Sequence, residues 1–97
     1  MTGHVFSPAA QADIEAIWNY TVEHWGLEQA ELYVRAIQVA CEELAAGTRF
    51  SRSAHDIRAG YRQAAVGSHI LFFCEGDAGL LDVVRILHQR MDLNQHL

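Results

Sequence analysis

Along the first half of the chain, apolar residues recur at helical spacing; along the second half they form short runs of the length and composition of strands. Ile14, Ile17, Trp18, Thr21 and Trp25 fall on one face of a helix predicted over 8–24, with Ser7 as its N-cap, Pro8 in its first turn and Gly26 as its stop. A second helix is predicted over 27–46, with Ala30, Tyr33, Ile37, Ala40, Cys41 and Leu44 as its inner stripe and Gly47 at its end. So short a connection forces the two helices into an antiparallel hairpin, with Ala36 and Ala40 expected to allow close approach. Before them, His4-Val5-Phe6 reads as a brief strand.

After Gly47 the pattern changes. Residues 48–56 are polar and irregular and hold Arg49, Arg52 and His55. Strands are predicted over 61–66, 69–74 and 80–87, the first two joined by a type II′ turn at Gly67-Ser68 and the last two by a turn over 75–79. The expected architecture is α+β: a short N-terminal strand, an antiparallel helical hairpin, then a three-stranded antiparallel meander. The first strand is expected at a sheet edge and the hairpin over one face. Strict alternation in the last strand places Val83, Arg85 and Leu87 on one side and Val84, Ile86 and His88 on the other, bringing Arg85 close to the core.

At 97 residues the chain makes a single domain over 1–97 that can bury a modest core. No apolar run approaches the roughly 18–20 residues of a membrane span, and the N-terminus lacks signal-peptide character, so the expected location is the cytoplasm. Cys41 and Cys74 follow no paired spacing and read as small buried hydrophobes, not a disulfide. The net charge of −5 argues against a general polyanion binder, but the charge is divided: one arginine and seven acids precede Thr48, and six arginines and five acids follow it. There is no lysine. The second half is therefore the candidate working surface.

Arg58, Arg62, Arg85, His88 and Arg90 are the residues there that carry chemistry. Metal-free RNA cleavage needs a base, an acid and cations around the phosphorane. His88 fits one proton-carrying role, but no second partner is evident, since position 73 is Phe and Glu75 falls in a predicted turn. His88 also reads as a structural ring bonded to a backbone carbonyl, and Arg62 and Arg85 as structural partners of Asp56, Asp82 or Asp92. His69 reads as a strand residue with a satisfied ring. The six histidines show no metal-ligand spacing, so no metal and no cofactor is expected. Trp18, Trp25 and Tyr33 read either as core or as a partly exposed aromatic groove suited to a partner's amphipathic segment.

The motifs Ser7-Pro8-Ala9-Ala10 with Asp13-Ile14 and Ile17-Trp18, Trp25-Gly26 with Gln29-Ala30 and Tyr33, Ile57-Arg58 with Gly60-Tyr61-Arg62, Gly67-Ser68-His69 with Leu71-Phe72-Phe73, and Val84 through Asp92 resemble the ParE toxins of bacterial ParDE toxin–antitoxin modules, in the wider RelE/ParE superfamily. The resemblance spans nearly the whole chain. It implies a non-enzymatic toxin that inhibits DNA gyrase by stabilising the cleaved gyrase–DNA complex, neutralised in a hetero-oligomer with a ParD-type antitoxin. It implies target contact through Arg58, Arg62, Arg85, His88 and Arg90, and antitoxin contact at a groove near Trp18, Trp25 and Tyr33. Two departures stand out: Gly47-Thr48-Arg49 where many relatives carry a proline after the second helix, and Phe73-Cys74 in place of a tyrosine–arginine pair. The second implies an altered or weakened action.

Overall fold

A computed structural model describes residues 3–91 and residue 97. Its elements are β1 (His4–Phe6), α1 (Pro8–Trp25), α2 (Leu27–Ala46), β2 (Arg52–Ser53), β3 (Arg62–Val66), β4 (His69–Glu75) and β5 (Leu81–His88), with a 3-10 turn at Asp77–Gly79. The sheet order is β1-β5-β4-β3-β2; β1 runs parallel to β5 and the other neighbours are antiparallel. The helical hairpin, the meander and the edge position of β1 are as expected. The segment read as irregular contains one more strand, the two-residue β2, which pairs Arg52 with Gln63 and Ser53 with Arg62.

Local chemistry explains the start of α1. The Ser7 hydroxyl accepts the Ala10 N–H (3.0 Å) and donates to the carbonyl of Val84 (2.7 Å), while its backbone N–H donates to Val83 (2.9 Å). One residue thus caps the helix and extends the contact of β1 with β5. Between β3 and β4, Gly67 has φ +56° while Ser68 stays out of the left-handed region, the sign pattern of the expected type II′ turn. A Cβ at Gly67 would lie 2.6 Å from the Tyr33 hydroxyl, so the turn and α2 approach as closely as they do because this residue has no side chain.

The main core lies between the hairpin and the sheet and includes Ile17, Ile37, Cys41, Leu71, Phe73, Val83 and Ile86. Ala30 and Ala40 are fully buried, whereas Ala36 faces solvent and is not the close-approach residue. A second cluster, Ala54, Phe72 and Leu87, with Ile57, Tyr61, Ile70 and Leu97 against it, covers part of the opposite face. Burying a side chain such as Phe72 or Leu87 stabilises the fold by roughly 1.5–3 kcal/mol relative to leaving it exposed. Burial pushes the Cys41 thiol up to about 12, while Cys74 is only half-buried; both are free.

The strict alternation expected in the last strand does not hold. Phe72 pairs with Arg85 but Phe73 pairs with Val83, so Val84 is an extra residue at a β-bulge. The bulge shifts the phase, placing Val83 with Ile86 in the main core and Leu87 in the cluster behind the sheet. Between described residues Arg85 pairs with Asp13 of α1 rather than with Asp82 or Asp56, its Nε and Nη2 donating to the carboxylate at 2.8 and 2.9 Å; Asp92 lies outside the described residues. The same carboxylate accepts the Ile86 N–H at 2.9 Å. These bonds hold the Arg85 guanidinium above its ordinary pKa.

Because the Arg85 and Asp13 side chains retain only 23% and 13% of their accessible surface, removing Arg85 leaves a poorly solvated carboxylate without its ionic partner, and removing Asp13 takes away both acceptor oxygens that Arg85 uses on α1. Arg85→Ala and Asp13→Ala are each expected to cost about 2–4 kcal/mol of unfolding free energy in urea titrations. Arg90→Ala, at an exposed position, should stay within about 0.5 kcal/mol of the parent. Equal midpoints for Arg85→Ala and Arg90→Ala would show that the ion pair contributes nothing.

Candidate functional site

Two adjoining clefts open where the helical hairpin overhangs the end of the sheet. One, of about 330 Å³, is lined by Asp13, Ile17, Tyr20, Thr21, His69, Ile86, His88 and Met91. The other, of about 520 Å³, is lined by Tyr20, Thr21, Trp25, Gln29, Tyr33, Ser68, His69 and His88. Their shared wall, Tyr20 and Thr21 facing His69 and His88, makes them one continuous groove.

The floor follows from strand register. His69 opens β4 and His88 closes β5, and the two are direct cross-strand partners with ring centroids 5.4 Å apart and planes at 82°. Tyr33, one turn beyond the buried Ala30 on α2, reaches down to them. Its hydroxyl lies 2.6 Å from His69 Nδ1, accepts the Ser68 N–H at 3.0 Å and sits 3.3 Å from the Val66 carbonyl. With the proton on His69 Nδ1, every partner is satisfied at once: the ring and Ser68 donate to Tyr33, and Tyr33 donates to Val66. His88 Nδ1 accepts the Arg90 N–H at 3.1 Å, so the ring is held by a backbone donor and not by the carbonyl expected for a structural histidine.

The surroundings of His69 favour its uncharged form. Burial lowers the His69 pKa, the neighbouring His88 lowers it further, and Asp13 acts against both. None of the residues lining either cleft is an arginine or lysine. His69 supplies the second imidazole that the sequence reading lacked, but no cation lines the clefts beside it to balance a phosphorane. The walls are instead aromatic and apolar: Trp25 is 72% exposed and Tyr20 59%, with Met91 also open to solvent. Such a groove suits a partner's side chains.

The other residues singled out in the sequence are dispersed. Arg62 lies on β3 and donates to the Ser51 hydroxyl and carbonyl. Arg58 is exposed in the segment between β2 and β3, Arg90 is exposed beyond β5, and Arg85 is bound to Asp13. With β4 between β3 and β5, the five residues do not converge on one point. The two tryptophans also separate. Trp25 lines the groove with Tyr33, whereas Trp18 is half-buried on another surface of the hairpin, beside Glu31, Val34, Arg35, Val39 and Glu42. Phe73 points into the main core, and Cys74 pairs with Asp82 on the neighbouring strand. Among the described residues no group of three or more His, Cys, Asp or Glu side chains is placed to hold a metal ion, and no helix is long and apolar enough to cross a membrane.

The family model for the ParE toxin of the type II toxin–antitoxin system parDE matches residues 5–93. The chain belongs to the ParE toxin family. It is 48% identical over 94 residues to Toxin ParE1 of Mycobacterium tuberculosis, covering 97% of this chain and 96% of that protein. To Toxin ParE1 of Caulobacter vibrioides it is 37% identical over 97 residues, covering 100% and 99%. The fold is similar to a chain in a solved structure of the chromosomal ParDE TA system from P. aeruginosa, with a TM-score of 0.72 and 22% identity over 91% of this chain and 95% of that one. The α+β fold of this ParE family member is therefore shared with a solved structure, and its place is in a type II toxin–antitoxin system.

Because the His69 pKa is lower in the folded protein than in the unfolded chain, acid favours unfolding: this contribution is whole above the unfolded value near 6.5 and is lost as pH falls through the folded value. NMR titration of the ring protons should find His69 titrating below that ordinary value, and His88→Gln should move it upward by removing the neighbouring charge. A His69 titration unmoved by His88→Gln would mean that the paired rings do not interact electrostatically.

Proposed function

We propose that this ParE family member inhibits DNA gyrase, stabilising the cleaved gyrase–DNA complex, and that a ParD-type antitoxin neutralises it by direct binding. The observation that carries this reading is the family match over residues 5–93. The antitoxin is assigned to the groove between hairpin and sheet, where Trp25 and Tyr33 stand beside His69 and His88. Trp18 is assigned to an adjoining stretch of the same partner on the outside of the hairpin. Exposed aromatic rings give a partner large contact area at small entropic cost, which suits an amphipathic segment.

Gyrase contact is assigned to Arg58, Arg62 and Arg90, which are exposed, with His88 beside Arg90; Arg85 acts by holding β5 against α1. The cytoplasm, where gyrase and its DNA lie, is the compartment this requires. In this reading the protein is a binder and not an enzyme, in keeping with clefts lined by no arginine or lysine.

The juxtaposed His69 and His88 favour one second reading, ribosome-dependent mRNA cleavage with the two rings carrying protons. Supercoiling by purified gyrase separates the two. The gyrase reading expects supercoiling to be lost, linear cleaved DNA to accumulate, and both effects to disappear when the antitoxin encoded next to the toxin is added. Alanine at Arg58, Arg62 and Arg90 together should weaken the inhibition roughly ten-fold or more, about 1.4 kcal/mol of binding. Unaltered supercoiling in the presence of excess folded protein, with position-specific mRNA cuts on ribosomes, would select the nuclease reading instead.

A further inference from the structure

Four of the chain's seven arginines fall within a short stretch, Arg49 to Arg62. Residues 49–74 contain four arginines and one acid, Asp56, in a protein whose formal net charge is −5. Of these arginines, Arg49 is tied to Glu43 at 2.7 Å and Arg62 to Ser51, while the Arg52 and Arg58 side chains are exposed and pair with no carboxylate among the described residues. Between Arg49 and Arg52 stands Phe50, 83% exposed, the most exposed large apolar side chain among the described residues.

Strand pairing fixes what surrounds it. Arg52 is opposite Gln63, Gln63 is opposite Phe72, and Ala65 is opposite Ile70. Phe72 and Ile70 belong to the cluster behind the sheet, so Arg52, Gln63 and Ala65 project from the face that the helices do not cover. There Phe50, Arg52, Gln63, Ala65 and Ile70 line a cleft of about 290 Å³. It has a projecting ring, a cation, a side-chain amide and an apolar floor.

We propose that this cleft binds single-stranded nucleic acid, stacking a base on Phe50 and engaging the adjoining phosphates with Arg52. The chemistry is that of a sequence-tolerant site for single strands: an aromatic platform takes the face of any base, and guanidinium groups beside it neutralise the backbone. Gln63 carries both a donor and an acceptor for a base edge. The cleft is too small to seat a helix of a protein partner, and its charge opposes that of the acidic hairpin. The site stands apart from the groove assigned to the antitoxin and does not depend on gyrase inhibition.

The test is fluorescence anisotropy of a labelled oligothymidylate with the full chain, at low salt and across a salt titration, with no gyrase present. Binding that weakens as salt rises is expected. Phe50→Ala should weaken it on the order of ten-fold without altering the circular dichroism spectrum, since so exposed a ring contributes little to the fold. Arg52→Gln should weaken it and flatten the log–log salt dependence by about 0.7, one phosphate contact. Arg35→Gln, on the exposed surface of α2, should leave binding unchanged. The proposal is overturned by any of three results: no binding by the folded protein at low salt, equal binding by Phe50→Ala, or Phe50-dependent binding of a glutamate-rich peptide and not of the oligonucleotide. Because gyrase is absent, each result stands whatever the supercoiling assay gives.

Discussion

The arrangement of helices over sheet depends on one carboxylate. Asp13 accepts hydrogen bonds from Arg85 Nε, Arg85 Nη2 and the Ile86 backbone, joining α1 to β5 beyond the point where β1 stops pairing. β1 covers β5 only at Leu81, Asp82 and Val83; past Phe6 the chain leaves the sheet to begin α1. The backbone groups of β5 that a longer β1 would have satisfied are taken by side chains of the helix start: Ser7 takes the Val84 carbonyl and Asp13 the Ile86 N–H. The hairpin's placement is therefore set by directional bonds as well as by apolar burial. Its position over His69 and His88 follows from that anchoring.

The bulge at Val84 is the second half of the same device. A regular β5 would send Val83 and Leu87 to one face, and either the main core or the rear cluster would lose a residue. With one extra residue, Val83 and Ile86 both enter the core under the hairpin, and Leu87 meets Phe72 behind the sheet. A small domain thereby covers parts of both faces of its sheet, which helps a chain of this length find enough apolar area to bury.

Much of this was legible in the sequence. The helices, the Ser7 cap and the Gly67-Ser68 turn rest on strong local signals, because caps, stops and tight turns are set by the residues that form them. The bulge was not legible, because Val84 is as good a strand residue in the ladder as beside it; only the cross-strand register reveals the slip. The same is true of the partners of Arg85. Asp13 is 72 positions away in sequence, and nearer acids were the natural candidates. The two-residue β2 was hidden because strand patterns need several residues to show alternation. His69 was recognised as a strand residue, but its meeting with His88 also follows from register. Family resemblance supplied the functional reading and the choice of residues. The residues alone supplied a small domain with an arginine-bearing half and an aromatic groove.

The separation of Trp18 from Trp25 shows why a seven-residue spacing did not guarantee one binding face. Two turns of helix return nearly the same direction, but α1 ends at Trp25 and the chain reverses at Gly26, so the second indole stands at the turn end of the hairpin. There it borders Tyr33, His69 and His88, while Trp18 packs at the edge of a surface bearing Glu31 and Glu42. The aromatic groove and the outer surface bearing Glu31 and Glu42 make different demands on a ligand: the first rewards apolar side chains, the second positive charge. A partner segment satisfying both would carry its basic and apolar residues on different faces, as an amphipathic helix does. A phosphate would meet two glutamates beside the single arginine Arg35 on the outer surface, and no guanidinium among the residues lining the groove. That physical contrast, more than the presence of any single residue, fits the groove and its surroundings to the protein partner proposed for them.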